Sequence, residues 1–235
     1  MKILLLGYGK MGKAVEQAAL KNGHRIAGRI TSGNRHELAT MQADVAIEFS
    51  NPDAAYENVA WCLEHNLPVV CGTTGWLERR NEIEKLTRTC NGAFFYASNF
   101  SVGVTMFFKL NEHLARMMAT GNGYRVQIEE IHHTEKKDAP SGTAITLAEG
   151  IMKYLKTKKQ WVNHDSENPE ELSIRSYRIA GVPGTHGIQY TSAFDSIEIR
   201  HVAHSREGFA AGAVAVAEWL PGKKGVFTMD DFLQL

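Results

Sequence analysis

The sequence predicts an α/β chain in two parts. A parallel sheet covered by helices on both faces comes first, followed by a smaller α+β part with a mixed or antiparallel sheet. Three observations predict this. Strand-like and helix-like segments alternate through the first hundred residues, and a glycine cluster at residues 7–12 falls where the first strand hands over to the first helix. Near Gly103 the texture changes to a long amphipathic helix followed by alternating strands.

The elements follow in order. Lys2-Leu6 reads as a strand, about Gly12 to Lys21 as a helix, and Arg25-Ile30 and Asp44-Phe49 as strands. A helix from about Asp53 to His65, a strand at Pro68-Cys71, a helix near Glu78-Arg88 and a strand at Ala93-Ala97 complete the first part. Five near-continuous runs of Val, Ile, Leu and Phe suit a sheet buried on both faces. A helix then runs to Met118, and in Tyr124-His133 the residues Val126, Ile128, Glu130 and His132 share one strand face. After a helix from Gly142 to about Leu155, the polar segment from Lys156 to Glu171 reads as a surface loop, with Lys156, Lys158 and Lys159 a solvated helix end rather than a polyanion site. Segments near Ser173-Ala180, Ile188-Phe194 and Ser196-Ala203 read as an antiparallel sheet.

At 235 residues with 43% apolar content, the chain can bury one large core or two small ones. Twenty-six basic residues balance twenty-six acidic ones, which favours a small-molecule partner over nucleic acid. The N-terminal run MKILLLGYGK is too short to span a membrane and lacks a signal-peptide cleavage pattern, so no membrane partner is expected. Cys62, Cys71 and Cys90 have no paired spacing and read as the reduced thiols of a cytoplasmic protein, with no disulfide framework and no zinc site.

Gly7, Tyr8, Gly9, Lys10, Met11 and Gly12 spell GxGxxG at a strand-to-helix junction. Glycines there allow a tight turn and close backbone approach, and the helix start offers free amides to a pyrophosphate. This makes the first part a Rossmann-like dinucleotide domain. The stretch after the second strand, Arg29 to Arg35, has no carboxylate to accept a ribose hydrogen bond. Ser32 and Arg35, with Arg29 as a further cation, instead suit a 2′-phosphate, so NADPH is expected in preference to NADH. Gly72, Thr73 and Thr74 follow the fourth strand, and Ser98, Asn99 and Phe100 the fifth, at carboxyl ends where open parallel sheets bind ligands.

The segment EEIHHTEKKDAPSGTA, Glu129 to Ala144, concentrates chemistry. His132 and His133 are adjacent on a strand end and point to opposite faces, so one can face a cleft and deliver a proton. Lys136 is a candidate cation for an anionic substrate. Ser141 can cap the helix opening at Gly142 and Thr143, whose free amides suit a carboxylate. Two other readings stay open on these residues alone: satisfied structural histidines, or a metal held with Glu129 and Glu130, against which stands the lack of a known ligand spacing. His186, in the glycine-rich stretch Gly181 to Gly187, is either a substrate contact or part of a tight hairpin connection, and His201 and His204 read as structural. A nucleotide-sensing protein would not need the histidine and lysine cluster, and a metal-dependent hydrolase would not need the glycine loop.

Together with GYGKMG, CGTTGW and ASNFSVGV in the same order, EEIHHTEKKDAPSGTA closely resembles the 4-hydroxy-tetrahydrodipicolinate (dihydrodipicolinate) reductase family of bacterial lysine biosynthesis. The resemblance spans the chain. It implies NAD(P)H-dependent reduction of 4-hydroxy-tetrahydrodipicolinate to tetrahydrodipicolinate in the diaminopimelate route, with hydride from the nicotinamide and a proton from His132. It implies Lys136 as catalytic partner, and His133, Gly142 and Thr143 as contacts to a small dicarboxylate. It further implies a nucleotide domain of residues 1–102 and 207–235, with the helix Glu207-Trp219 packed on it, a substrate and oligomerisation domain of residues 103–206, closure of one over the other, and a cytoplasmic homotetramer. Against the longer members, this chain has a compact segment after the Gly142 helix, and it lacks the acidic residue that some show after the second strand.

Overall fold

The computed structural model describes residues 1–120, 123–205 and 207–235. They form two compact units, Met1–Val102 with Glu207–Leu235, and Gly103–Arg206.

In the first unit the chain alternates β1 (Lys2–Leu6), α1 (Lys10–Lys21), β2 (Arg25–Ile30), β3 (Val45–Glu48), α2 (Pro52–Glu64), β4 (Val69–Cys71), α3 (Arg80–Thr89) and β5 (Ala93–Tyr96). The sheet is parallel, in the order β2, β1, β3, β4, β5, and then a sixth strand from the C-terminal segment. Because β2 and β3 flank β1 on opposite sides, the crevice at the carboxyl end of β1 is the switch point where such sheets bind ligands. Ile3 and Leu5 face one apolar core and Leu4 and Leu6 the other, so alternation along a fully buried strand feeds both faces. Asn51 caps α2 by accepting from the Ala54 amide at 3.0 Å, and Pro52 sits in its first turn.

The second unit contains α4 (Val102–Met118, from its second residue on), β6 (Arg125–His132), α5 (Gly142–Met152), β7 (Gln160–Val162), β8 (Glu171–Arg178), β9 (Gly184–Thr191) and β10 (Ser196–Ala203). One face of its sheet packs on the helices. Val126 and Ile128 of β6 meet Phe107 and Leu114 of α4 and Leu147 and Ile151 of α5. The chain then returns through α6 (Glu207–Trp219), β11 (Gly225–Phe227) and α7 (Met229–Leu233). Val214 and Val216 of α6 are buried in the first unit's core beside Ile3 and Phe95, and Phe227 of β11 and Phe232 of α7 pack edge-on against Trp219.

Two sequence expectations are corrected, and the second sheet, expected to be mixed or antiparallel, is resolved. The parallel sheet has six strands, not five, because β11 adds at the edge beside β5. Three residues between glycine-rich and polar neighbours are too few for periodicity to register. The segment from Lys156 to Glu171 is not all loop, since it contains β7, paired parallel with β8. The second sheet is mixed, in the order β10, β9, β6, β8, β7. β8 pairs parallel with β6 after a crossover through α5, while β9 runs antiparallel to both β6 and β10. No helix of the described residues is long and apolar enough to cross a membrane.

Candidate active site

At the carboxyl edge of the first sheet, Gly7 has φ +92°, and a Cβ there would lie 2.1 Å from the Phe49 carbonyl oxygen. At Gly12 a Cβ would lie 2.3 Å from the Gly7 carbonyl oxygen, whereas Gly9 has open space around it and stands at the start of α1. The loop is therefore tight where it packs and open where a phosphate would approach. Gly7, Gly9, Thr31, Ser32, Arg35 and Ser50 line a cavity of about 420 Å³. Of the other predicted contacts here, Lys10 is exposed and Met11 packs on the core.

Arg29 is paired within the protein. Its Nε donates to the buried Glu16 carboxylate at 3.1 Å, to which the Tyr8 hydroxyl also donates. Arg29 thus braces the glycine loop through Glu16 and Tyr8. Arg35 is placed differently: it donates to Asn58, whose Nδ2 lies 3.3 Å from Ser50 Oγ and 3.4 Å from the buried Glu48. That chain keeps the Arg35 cation beside Ser32 on the cavity wall.

Gly72 is forced to be glycine by the Phe49 ring, 2.0 Å from where its Cβ would stand. Thr73 is buried and accepts from the Ser50 amide at 2.9 Å, while Thr74 is exposed. Ser98 is exposed, and Asn99 accepts from the Ser101 amide at 2.8 Å. The Phe100 ring packs in the core against Phe49 and Phe95, so it offers a ligand its backbone rather than its side chain. The residues present fit a dinucleotide.

In the second unit β6 ends with the same face that carries Val126 and Ile128, now occupied by Glu130 and His132, both buried. His133 follows just past the end of β6 and is half-buried. Strand pairing sets His186 of β9 opposite Glu130 and Arg178 of β8 opposite His132. Ser141 caps α5, its Oγ accepting from the Ala144 amide at 3.2 Å, and leaves Gly142 exposed with open space around it and Thr143 half-buried. Lys136 Nζ is 2.8 Å from both Asp138 oxygens. The Arg178 guanidinium straps that loop by donating to the Asp138 carbonyl at 2.6 Å and the Lys136 carbonyl at 3.3 Å.

His186 lies in a strand rather than a loop, buried with Nε2 3.1 Å from Ser141 Oγ and its ring 5.0 Å from that of His132. The glycine that permits close approach is Gly184, and what approaches is protein, since a Cβ there would sit 3.2 Å from His132 Nε2. Glu130, Arg178 and His186 are the functional candidates that local reading missed or left undecided. Glu130 had a signal, two residues before His132 on one face; Arg178 had none, because pairing between distant strands delivers it.

Burial pushes His132 down to about 4, with His186, Lys136 and Arg178 acting in the same direction and Glu130 against them. Glu130 would be raised by burial, yet contacts from His186 and Ser141 outweigh it and hold it at about 2. Glu130, His132 and His186 bring one ligand atom each within 4.8 Å of one another. The Ser141 amide, 3.1 Å from both Glu130 oxygens, and the Arg178 cation at 3.4 Å already engage that carboxylate and oppose a metal ion.

Both shifts predict acid sensitivity. His132 takes its proton at 6.5 unfolded and about 4 folded, so its contribution is whole above 6.5 and is lost as pH falls toward 4. Glu130, at 4.5 unfolded and about 2 folded, adds a loss between 4.5 and 2. The thermal midpoint is expected to fall as pH drops through the upper window, and less so in His132→Gln. Equal midpoint-against-pH curves for the two proteins would contradict this.

Comparison with known proteins follows the same division. The family described as dihydrodipicolinate reductase, N-terminus, matches residues 1–100, and that described as dihydrodipicolinate reductase, C-terminus, matches residues 103–233. The chain is 47% identical over 234 residues to the 4-hydroxy-tetrahydrodipicolinate reductase of Christiangramia forsetii, covering 99% of this chain and 98% of that one. It is 35% identical to the enzyme of the same name from Oleidesulfovibrio alaskensis, covering 97% and 90%. Among solved structures, a dipicolinate-bound dihydrodipicolinate reductase from Paenisporosarcina sp. TG-14 shares the fold, with a TM-score of 0.81, 22% identity and 99% coverage of both chains.

Proposed function

Because the chain belongs to the dihydrodipicolinate reductase family, it is an NAD(P)H-dependent oxidoreductase acting on 4-hydroxy-tetrahydrodipicolinate on the diaminopimelate route to lysine, and we propose that His132 supplies the proton. The observation that carries this assignment is the placement of a buried imidazole on the face of β6 that also holds Glu130, tied through Glu130 to the helix start that presents Gly142 and Thr143. When bound, the nicotinamide supplies the hydride. Gly7, Gly9 and Gly12 admit its pyrophosphate, Ser32 and Arg35 receive the adenosine end, and the turns at Gly72-Thr74 and Ser98-Phe100 receive the nicotinamide end.

His133, Lys136, Gly142 and Thr143 hold a small dicarboxylate, the class of ligand carried by the Paenisporosarcina structure. His132 is neutral in the free protein at neutral pH, since burial holds it at about 4. A bound dianion beside it raises its proton affinity and charges it for transfer. Lys136, released from Asp138, steadies negative charge as it develops. The full reading includes a cytoplasmic homotetramer, which light scattering checks.

The deciding experiment is NADPH oxidation followed by absorbance, with substrate generated enzymatically from pyruvate and aspartate semialdehyde. Oxidation that depends on both precursors is expected, and none in their presence would overturn the assignment. NADPH is the preferred donor in this reading because Arg35 stands beside Ser32. Arg35→Ala should therefore lower kcat/KM for NADPH by about tenfold, one good charge-assisted contact, and leave NADH nearly unchanged. Equal losses with both donors would remove Arg35 from specificity.

A further inference from the structure

Glu130 is fully buried, yet four parts of the second unit converge on its carboxylate. The Ser141 amide at the head of α5 stands 3.1 Å from both oxygens, Arg178 Nη2 of β8 3.4 Å from Oε1, His132 Nδ1 of β6 3.4 Å from Oε2, and His186 Nε2 of β9 3.7 Å from Oε2. Burying a carboxylate is unfavourable unless it is paired, and an apolar residue would serve packing better at this point of the face. His132 Nδ1 is also buried without a hydrogen-bond partner among the described residues, and the carboxylate is the acceptor beside it. Distances of this kind tighten when a substrate closes the site.

We propose that Glu130 is the positioning residue of this active site: one carboxylate orients the His132 ring with Nδ1–H inward and anchors the first turn of the dicarboxylate-binding helix. The proton donor and the substrate clamp then share a single reference point. In the imidazolium that forms with substrate bound, Nε2 carries the transferable proton; it lies on the Gly184 side, where an added Cβ would stand only 3.2 Å away. This inference rests on His132 being the donor. The groups facing His132 are Glu130 on its own strand, His186 from β9, Arg178 from β8 and Lys136 from the following loop, and Glu130 supplies the charge that favours the imidazolium.

Glu130→Gln keeps the shape and removes the charge. Turnover should fall about tenfold or more, as for other carboxylates that orient a catalytic histidine. The basic limb of kcat should move toward lower pH by about one unit, the effect of losing a nearby opposite charge. Dipicolinate affinity should fall less than turnover. Glu130→Asp, which keeps the charge, should return the limb to its original position. A Glu130→Gln enzyme with an unmoved limb overturns the proposal, whatever its turnover.

If Glu130→Gln does not fold, the wild type carries the test through long-range nitrogen–proton spectra of its histidine rings. The Nδ1–H tautomer of His132 is expected, and the Nε2–H tautomer in the free enzyme overturns the proposal. Failure of the underlying reading looks different, because His132→Gln would then retain near-normal turnover.

Discussion

Replacing His132 by glutamine is expected to lower turnover by about 10²–10⁴-fold, the usual worth of a positioned acid, while the Michaelis constant changes little. Glutamine matches the imidazole in reach but has no proton to give at neutral pH. It also occupies a buried position, so the rest of the site keeps its shape: Ser141 remains tied to Glu130, and the helix start is undisturbed. The loss should therefore appear in kcat. Thr143→Val provides the contrast, because it deletes a hydroxyl at the first turn of α5 and leaves the donor in place. It should raise the Michaelis constant and weaken dipicolinate binding, by about tenfold for one hydrogen bond to a charged group, with kcat largely retained. Steady-state kinetics on both variants check the pair. A His132→Gln enzyme with near-normal turnover would remove His132 from the chemistry.

Gly7→Ala is expected to damage both stability and cofactor binding. The backbone at Gly7 is left-handed, which costs a residue bearing a Cβ about 1–3 kcal/mol. A shift of that size lowers the thermal midpoint of a chain this long by roughly 2–12 °C. The added Cβ would also stand 2.1 Å from the Phe49 carbonyl oxygen and 2.7 Å from Ser50 Cα. Neither neighbour can yield cheaply, since the Gly7 amide donates to the Ile30 carbonyl and the Phe49 amide to the Leu6 carbonyl, both at 2.8 Å. Gly9→Ala separates the two effects. Its Cβ would meet no atom within 4 Å, so stability should be retained while the approach of a pyrophosphate is blocked. Calorimetry and NADPH titration read the two quantities, and Gly9→Ala binding NADPH as tightly as the parent would move the phosphate site elsewhere.

The sites were legible to different depths. The glycine loop could be read because strand, turn and helix are adjacent in sequence; the need for Gly12 is local, its Cβ meeting the Gly7 carbonyl, whereas Phe49 and Ser50, which crowd Gly7, arrive from the end of β3. The capping role of Ser141 could be read for the same reason. The pairing of Arg29 with Glu16 was not legible, because Glu16 lies in α1 and meets Arg29 of β2 only when the helix packs on the strand. His186 was placed in a loop because glycines dominate its neighbourhood. In the folded chain those glycines belong partly to a strand, and pairing with β6 brings the imidazole opposite Glu130.

By itself the sequence determined the alternation of strands and helices, the nucleotide loop, the face of β6 that carries Glu130 and His132, and the helix start that follows. All of these depend on periodicity or on residues a few positions apart. Only the tertiary structure decided that β8 would run parallel to β6, bringing Arg178 opposite His132 in the candidate active site, and that β9 would set His186 across from Glu130. Strand register is a property of pairs of distant segments, chosen by the burial of whole faces at once, so no local pattern contains it. The histidine-bearing segment supplies the groups proposed to react, and the strands that pair around it supply the charges that tune them.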